Sequence, residues 1–223
     1  MRAAGRVVGV LLLIVAAGVV AFHVRVANDV SRPTPSIASE DAMASGDSYY
    51  FAYGTNMSTR YLYNVRGILP KHSEAGSVRG YEVRLLSPGL NGLEPAFAYL
   101  VKADSKIAYG VVHRVTGADL AKIKDSEGAS YEWATVPVQL KNGQVIDAQS
   151  LVRLTDGQTG KPSKRYLNFL IEGATEHGLP QAYIAKLKDT PSVYVPVASE
   201  LEGDVIMAVV MKRSGKCSSV LVC

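Results

Sequence analysis

The chain has 223 residues, of which 48% are hydrophobic, and a formal net charge of +4. This length fits one ordinary domain plus a targeting segment, and the apolar content suffices for a sizeable core. Lysine and arginine are scattered and form no basic stripe interleaved with exposed aromatic residues, so the composition argues against nucleic acid as a partner.

An apolar segment lies at the N-terminus. Two arginines precede an uncharged run over 7–22, and His23 and Arg25 close it. This pattern is typical of a signal peptide or of an uncleaved signal-anchor that crosses the membrane as a helix. We favour the anchor because the stretch 19–21 is only a passable cleavage site. Either way, residues 1–27 are expected to export the body of the protein to a periplasmic or other extracytoplasmic space, tethered to the membrane or secreted after cleavage.

The composition then changes twice. Residues 28–47 are rich in serine, proline, aspartate and alanine, which predicts a flexible linker with little to bury. A folded domain is expected over 48–191, followed by a C-terminal extension over 192–223 whose middle part could be helix or strand. The two cysteines, Cys217 and Cys223, lie in this extension and form either a passive tail or a local disulfide.

Short strands occur in runs along the folded domain, with few regular strand–helix alternations. The predicted strands are 49–53, 80–86, 96–102, 107–115, 131–140 and 145–152, and the predicted helices are 58–65, 116–124, 162–177 and 180–189. Asn142-Gly143 predicts a hairpin, Thr116 with Asp119 a helix start, and Gly178 a helix end. This order predicts an α+β fold: a small mixed β-barrel or curled sheet with peripheral helices.

The stretch Tyr50-Phe-Ala-Tyr-Gly-Thr-Asn-Met57 is a candidate binding loop. A strand that stops at Gly54 and turns directly into a helix presents successive backbone N–H groups, which hold carboxylates and developing oxyanions. Thr55 and Asn56 add a hydroxyl and an amide. An ordinary strand–turn–helix with Asn56 as the helix N-cap is the alternative interpretation of the same residues.

A second candidate is the acidic loop 124–131. Glu127 precedes Gly128, where a carboxylate can be turned over a pocket, although a glutamate in such a loop is more often solvated. The sequence has no metal-binding, phosphate-binding or nucleophile-elbow motif, and its four histidines are spread singly. His113 is therefore interpreted as a structural histidine and Trp133 as a packing residue.

Together these motifs resemble the γ-glutamylcyclotransferases. The candidate loop is similar to their Y-F-A-Y-G-S-N-[LM] signature, with Thr55 in place of the serine. A G-V-V strand at 110–112, a helix and the pair Glu127-Gly128 follow in the family's order. The segment 176–183 with Leu187 resembles the family's E-x-G-L-P-x-x-Y…L helix pair. The motifs span most of the predicted domain.

The resemblance implies cyclisation of a γ-glutamyl amide, a dipeptide or an amine, to 5-oxoproline with release of the free amine. No metal or cofactor is needed, and the partner is a small γ-glutamyl substrate. The resemblance puts the catalytic acid–base on Glu127. It puts substrate binding on Tyr50, Phe51, Ala52, Tyr53, Gly54, Thr55, Asn56, Met57 and Tyr131.

Two features leave alternatives open. Leu151 stands where some relatives have a substrate-contacting tyrosine, so the preference for the leaving amine is open. The chain could also be a membrane-tethered, non-catalytic module that binds γ-glutamyl or related small molecules. A retained Glu127 argues against that alternative, because a binder needs no proton shuttle.

Overall fold

The computed structural model describes residues 2–31, 46–87, 92–127, 131–153 and 157–218, with the side chains of its first helix described over 15–29. The helices are α1 (Arg2–Val30), α2 (Thr59–Arg66), α3 (Gly117–Ser126), α4 (Lys164–Glu176), α5 (Gln181–Lys188) and α6 (Ala198–Arg213). The strands are β1 (Asp47–Ala52), β2 (His72–Leu86), β3 (Phe97–Thr116), β4 (Glu132–Leu140) and β5 (Val145–Arg153), and a short 3-10 turn spans Thr55–Met57.

The five strands close into a barrel in the order β1-β3-β2-β4-β5, with an additional pairing of β3 and β5. Most neighbours are antiparallel, whereas β5 runs parallel to β1 and to β3, so the barrel is mixed. Its interior is filled by apolar side chains, among them Phe51, Val78, Leu100, Val111, Val136 and Val138. The predicted small mixed barrel with peripheral helices is confirmed.

The longest strand pair differs from the prediction. Two strands were expected over 96–102 and 107–115, but β3 is continuous from Phe97 to Thr116 and pairs with a β2 that already begins at His72. The register shifts between Arg79 and Tyr81, opposite residues 103–106, of which the last three are polar. Gly80 lies at this shift with a φ of +79°, a conformation that glycine adopts without strain. The stretch between the two predicted strands is thus an irregularity within one strand.

The predicted local signals at helix ends and in the hairpin are present. Thr116 caps α3 by accepting a hydrogen bond from the Asp119 N–H at 3.1 Å. Gly178 follows α4 with a φ of +62°, and Gly143 lies in the β4–β5 hairpin with a φ of +87°. The cap of α2 is Ser58, which accepts from the N–H of Tyr61, so the alternative role of Asn56 as N-cap is wrong.

The N-terminal helix extends beyond its predicted end at residue 27, and residues 32–45 of the predicted linker lie outside the described residues. No helix in the described part of the chain is long and apolar enough to cross a membrane. The transmembrane helix predicted within 1–27 is therefore not supported, and the export predicted for the body of the protein stays a prediction. In the structure Val26 is buried against α6, and His23 Nδ1 lies 2.5 Å from an Asp204 carboxylate oxygen.

The predicted C-terminal extension packs on the rest of the protein. Its middle part is the helix α6, whose Met207 and Met211 pack with Tyr61 and Phe169 of α2 and α4. Cys217 is disulfide-bonded, and Cys223 lies outside the described residues.

Candidate active site

A cavity of about 140 Å³ lies where the end of β1, the end of α3, the first turn of α4 and one side of α6 meet. Seven of the ten predicted site residues line it: Tyr50, Tyr53, Gly54, Thr55, Asn56, Glu127 and Tyr131. The two sequence motifs, which are about 70 residues apart in the chain, thus face one space.

The other three predicted binding residues do not line the cavity. Phe51, Ala52 and Met57 are between 0% and 1% exposed and belong to the barrel core. The backbone oxygen of Phe51 accepts a hydrogen bond from Ser150 Oγ, and Met57 packs against Gly173 of α4 so closely that a Cβ there would lie 2.6 Å away. These residues therefore support the loop from beneath.

Glu127 is the point at which the two motifs touch. It follows directly after α3 with an extended backbone, which turns its carboxylate toward the loop after β1. Asn56 Nδ2 donates to Glu127 Oε1 at 3.2 Å and to the Tyr50 hydroxyl at 2.9 Å. The Glu127 side chain is 16% exposed. The structure thus places this carboxylate against the cavity and shields most of it from bulk solvent.

Arg66, the last residue of α2, connects the parts of this network. Its side chain is 5% exposed and donates to Glu127 Oε1 at 2.6 Å, to Asn56 Oδ1 at 2.7 Å and to the hydroxyl of Ser126. Burial acts to lower the pKa of Arg66, but the charge of Glu127 and nearby tyrosines outweigh it, so the pKa is raised. A carboxylate at the C-terminal end of α3 meets the negative end of the helix dipole, and the Arg66 cation offsets that repulsion.

His113 holds the same loop from the barrel side. Its Nε2 lies 2.9 Å from the backbone oxygen of Asn56, which can only accept, so Nε2 carries the proton. Nδ1 therefore accepts from Ser73 Oγ at 2.7 Å. Burial, with a contribution from His177, lowers the pKa of His113 to about 3, so the ring is neutral near pH 7. This agrees with the structural role predicted for His113.

Five tyrosines line the cavity, and the hydroxyls of four of them divide into two kinds by their hydrogen bonds. Tyr53 donates to the backbone oxygen of Leu151 at 2.6 Å, and Tyr131 donates to that of Ala98 at 3.1 Å. Tyr50 instead accepts from Asn56, and Tyr166 accepts from the Ala98 N–H at 2.9 Å. Among the described residues nothing accepts the protons of these last two hydroxyls, so both can donate to a ligand.

Burial, with a smaller contribution from the charge of Glu127, raises the pKa values of Tyr50 and Tyr166 above the ordinary range. Both hydroxyls therefore keep their protons at any pH in which the protein functions.

A second charged pair and the helix α6 complete the wall. Glu94, just before β3, and Arg165, in the first turn of α4, line the cavity and bind each other. Ile206, Met207 and Val210 of α6 add an apolar side. Leu151 is also part of the lining, at the position where some relatives have a tyrosine.

Comparison with known proteins agrees with the geometry. The AIG2-like family model matches residues 108–187. The γ-glutamyl cyclotransferase aclK of Aspergillus oryzae is 27% identical over 177 residues, which are 69% of this chain and 65% of that protein. The γ-glutamylcyclotransferase of Mus musculus is 26% identical over 170 residues, covering 70% of this chain and 86% of that protein. A solved γ-glutamyl cyclotransferase superposes with a TM-score of 0.61 at 24% identity, over 72% of this chain and 98% of the other.

This chain is thus similar to the γ-glutamylcyclotransferases. The resemblance predicted from its three motifs is confirmed, and the shared fold reaches well beyond the residues that the family model matches. The chain spans 65% of the length of the Aspergillus relative.

Sequence reasoning missed several residues of this cavity. Arg66 was overlooked. Leu62, one helical turn before it, is apolar and buried, so a charged residue on the same face of the helix could have indicated a buried ion pair. Glu94 and Arg165 gave no such signal, because they lie about 70 residues apart in the chain and only the fold joins them. The lining from α6 was missed because 192–223 was treated as an extension.

Proposed function

We propose that this chain is an enzyme that cyclises a γ-glutamyl amide to 5-oxoproline and releases the free amine. The observation that carries the proposal is the Glu127 carboxylate, mostly shielded from solvent and 3.2 Å from Asn56 of the Tyr53-Gly54-Thr55-Asn56 loop, at the edge of the cavity. The two curated relatives named for this activity, at 26% and 27% identity, support the class of reaction.

The cyclisation requires little besides positioning of the substrate and proton transfer. A γ-glutamyl amide carries its own nucleophile, because its α-amine can attack its γ-carbonyl carbon and close a five-membered lactam. The α-ammonium must first lose a proton, a negative charge then develops on the γ-carbonyl oxygen, and the carbon–nitrogen bond to the leaving amine breaks as that nitrogen takes up a proton. Holding the extended substrate in the folded-back conformation supplies a further part of the rate.

Glu127 is assigned to both proton transfers. Among the described contacts, the hydrogen bonds from Asn56 and Arg66 all end on Oε1, which leaves Oε2 free to take the ammonium proton and return it to the leaving nitrogen. Such acid–base assistance typically contributes about 10²–10⁴-fold to a rate. Arg66 acts as a positioning residue, because it fixes Oε1 and the amide of Asn56 at the same time.

The loop and the tyrosines are assigned to the substrate's oxygens. The 3-10 turn makes its first internal bond from the Met57 N–H to Gly54 O, so the N–H groups of Thr55 and Asn56 lie outside the turn's own bonds. The hydroxyls of Tyr50 and Tyr166 add two donors that stay protonated. We assign these four groups to the α-carboxylate and to the developing oxyanion.

The test is incubation of the full-length chain with γ-glutamyl-L-alanine, followed by chromatographic quantification of 5-oxoproline and free alanine. We expect the two products in equal amounts, at a rate proportional to protein concentration. A dipeptide that binds, as measured by calorimetry, but stays intact for hours would contradict the proposal and favour a non-catalytic binding module.

A further inference from the structure

One part of the cavity wall is apolar and comes from the helix α6. Ile206 and Val210 lie one helical turn apart, Met207 lies beside them, and all three line the cavity at whose edge Glu127 lies. Ile206 and Val210 are only partly buried. They therefore present accessible apolar surface beside the cavity, which an entering apolar group would cover with a gain in free energy.

A different face of α6 fixes the helix on the rest of the protein. Ala208 and Met211 are 0% exposed and belong to a cluster with buried residues of α2 and α4. Just after the helix, Lys216 Nζ donates to the backbone oxygen of Tyr63 at 2.8 Å. The helix is thus anchored through residues other than Ile206 and Val210, and the apolar wall is a preformed surface.

Two strand residues extend this wall. Phe97 of β3 and Leu151 of β5 line the same cavity as α6. The donors that we assign to the oxygens of the substrate come from other elements, namely Tyr50 of β1, the loop after it and Tyr166 of α4. Among the described residues, the lining thus offers polar contacts from one set of elements and apolar contacts from another.

The γ-glutamyl half of the substrate has little to place against an apolar wall. It carries an α-amine and an α-carboxylate at one end and the γ-carbonyl at the other, with two methylene groups between them. These polar groups are the ones that we assign to Glu127 and to the donors of the loop and the tyrosines. The counterpart of the apolar wall must therefore belong to the leaving amine.

We propose that α6 selects leaving amines with a branched apolar side chain, and that Ile206 and Val210 are the specificity-determining contacts. This inference rests on the function proposed above. A side chain such as that of leucine would cover the accessible surface of Ile206, Val210 and the neighbouring wall. A polar side chain of similar size would lose its hydration at the same place and gain no hydrogen-bond partner from α6.

The experiment compares three substrates that share the glutamyl group and the α-carboxylate of the leaving residue: γ-glutamyl-L-leucine, γ-glutamyl-L-alanine and γ-glutamyl-L-asparagine. For the full-length protein we expect kcat/KM to be roughly tenfold to hundredfold higher for the leucine compound than for the alanine compound. Asparagine is close to leucine in size but polar, so its compound should be used no better than the alanine compound. Equal use of the leucine and asparagine compounds would overturn the proposal.

Matched variants on α6 test the two contacts. Val210→Thr replaces a methyl group by a hydroxyl at nearly constant volume, and it should lower the preference for leucine over alanine severalfold through loss on the leucine compound alone. Ile206→Thr/Val210→Thr should reduce the preference further, to about threefold or less. The control Val205→Thr changes a valine of the same helix that is 50% exposed, and it should keep the wild-type ratio. An unchanged ratio in Val210→Thr, or an equal loss on both substrates, would contradict the assignment.

Calorimetry with the Glu127→Gln protein separates this inference from the proposed reaction. If none of the compounds yields 5-oxoproline with the wild type, the proposed function fails, and the apolar wall is then judged by binding alone. Tighter binding of the leucine compound than of the alanine compound, weakened by the additional change Val210→Thr, would support the inference. Equal binding of the two compounds, or no binding of either, would contradict it.

Discussion

Two arginine–glutamate pairs line one cavity, and they differ in how completely their polar atoms are bonded. In the Arg66–Glu127 pair the guanidinium reaches Glu127, Asn56 and Ser126 together, so the pair belongs to a closed network. In the Glu94–Arg165 pair one carboxylate oxygen and two guanidinium nitrogens have no partner among the described residues. Both pairs are largely buried. The side chains of Arg66 and Glu127 are 5% and 16% exposed, and those of Arg165 and Glu94 are 24% and 2% exposed.

The difference separates two pairs that burial alone does not distinguish. A buried network in which every side chain has a partner holds its members in one geometry, which suits a group that must meet a substrate proton at a fixed position. A buried pair with unbonded atoms lacks part of this constraint. The two pairs thus differ in how far their hydrogen bonds are satisfied, and only the first belongs to the network that we propose for proton transfer.

The largest effect should come from breaking the closed network. Arg66→Met leaves the Glu127 carboxylate, the Asn56 amide oxygen and Ser126 without their shared donor, and removing one partner of a buried ion pair costs about 3–5 kcal/mol. We expect a large fall in the urea midpoint and loss of 5-oxoproline formation. The matched control is Arg60→Met on the same helix, because the Arg60–Glu172 pair is about one-third exposed and should cost about 0–1 kcal/mol.

Equal destabilisation by the two substitutions would contradict the distinction between a closed buried network and an exposed pair. Arg66→Lys adds a test of positioning in a protein that keeps the charge. A single ammonium cannot bond Glu127, Asn56 and Ser126 with the geometry of a guanidinium, so we expect kcat to fall while the fold is retained.

A smaller, pH-dependent effect is expected from His113, which bonds to the backbone oxygen of Asn56 in this network. The folded-state pKa of His113 is lowered to about 3, below the ordinary value of 6.5, so the unfolded state binds more protons between those values. Stability is then fully present above pH 6.5 and is lost as the pH falls toward 3. Between pH 7.5 and pH 5 the wild type should lose about 2 kcal/mol more than His113→Gln. Urea midpoints at the two pH values measure this, and identical slopes would show that His113 is not buried as a neutral ring.

The smallest effect is expected from a substitution of Asp204 in α6. Asp204 of α6 pairs with His23 of α1, whose side chain is 42% exposed. Burial raises the pKa of Asp204 while His23 and Arg165 act to lower it. Asp204→Asn should change the free energy of unfolding by at most about 1 kcal/mol and leave the rate of 5-oxoproline formation unchanged. A fall of several kcal/mol in a urea titration would contradict the minor role assigned to this partly exposed pair.

Much of the fold could be predicted because its signals are local. The Asn142-Gly143 hairpin, the Thr116 cap and the Gly178 helix end each depend on a few neighbouring residues, and the structure has all three. The continuous β3 could not be predicted, since the polar residues 104–106 interrupt its apolar pattern and only the partner strand shows that pairing continues past them. The packing of Val26 of α1 on α6 was likewise missed, because it joins opposite ends of the chain.

The same contrast holds within the candidate site. Glu127 and the loop from Tyr50 to Asn56 could be found because each forms a recognisable motif, and the structure brings them together. Phe51, Ala52 and Met57 belong to the same motif but lie in the core, because a motif does not say which of its side chains faces a ligand. The open pair of Glu94 and Arg165 has no motif at all.

The most direct test of the central claim is the rate of 5-oxoproline release from γ-glutamyl-L-alanine by Glu127→Gln. The amide keeps the size of the side chain and an acceptor for Arg66 and Asn56, but it cannot take up the ammonium proton. We expect kcat to fall by at least about a hundredfold with the circular dichroism spectrum unchanged. Asp125→Asn, an exposed carboxylate two residues earlier, should keep full activity. Wild-type turnover by a folded Glu127→Gln protein would contradict the account.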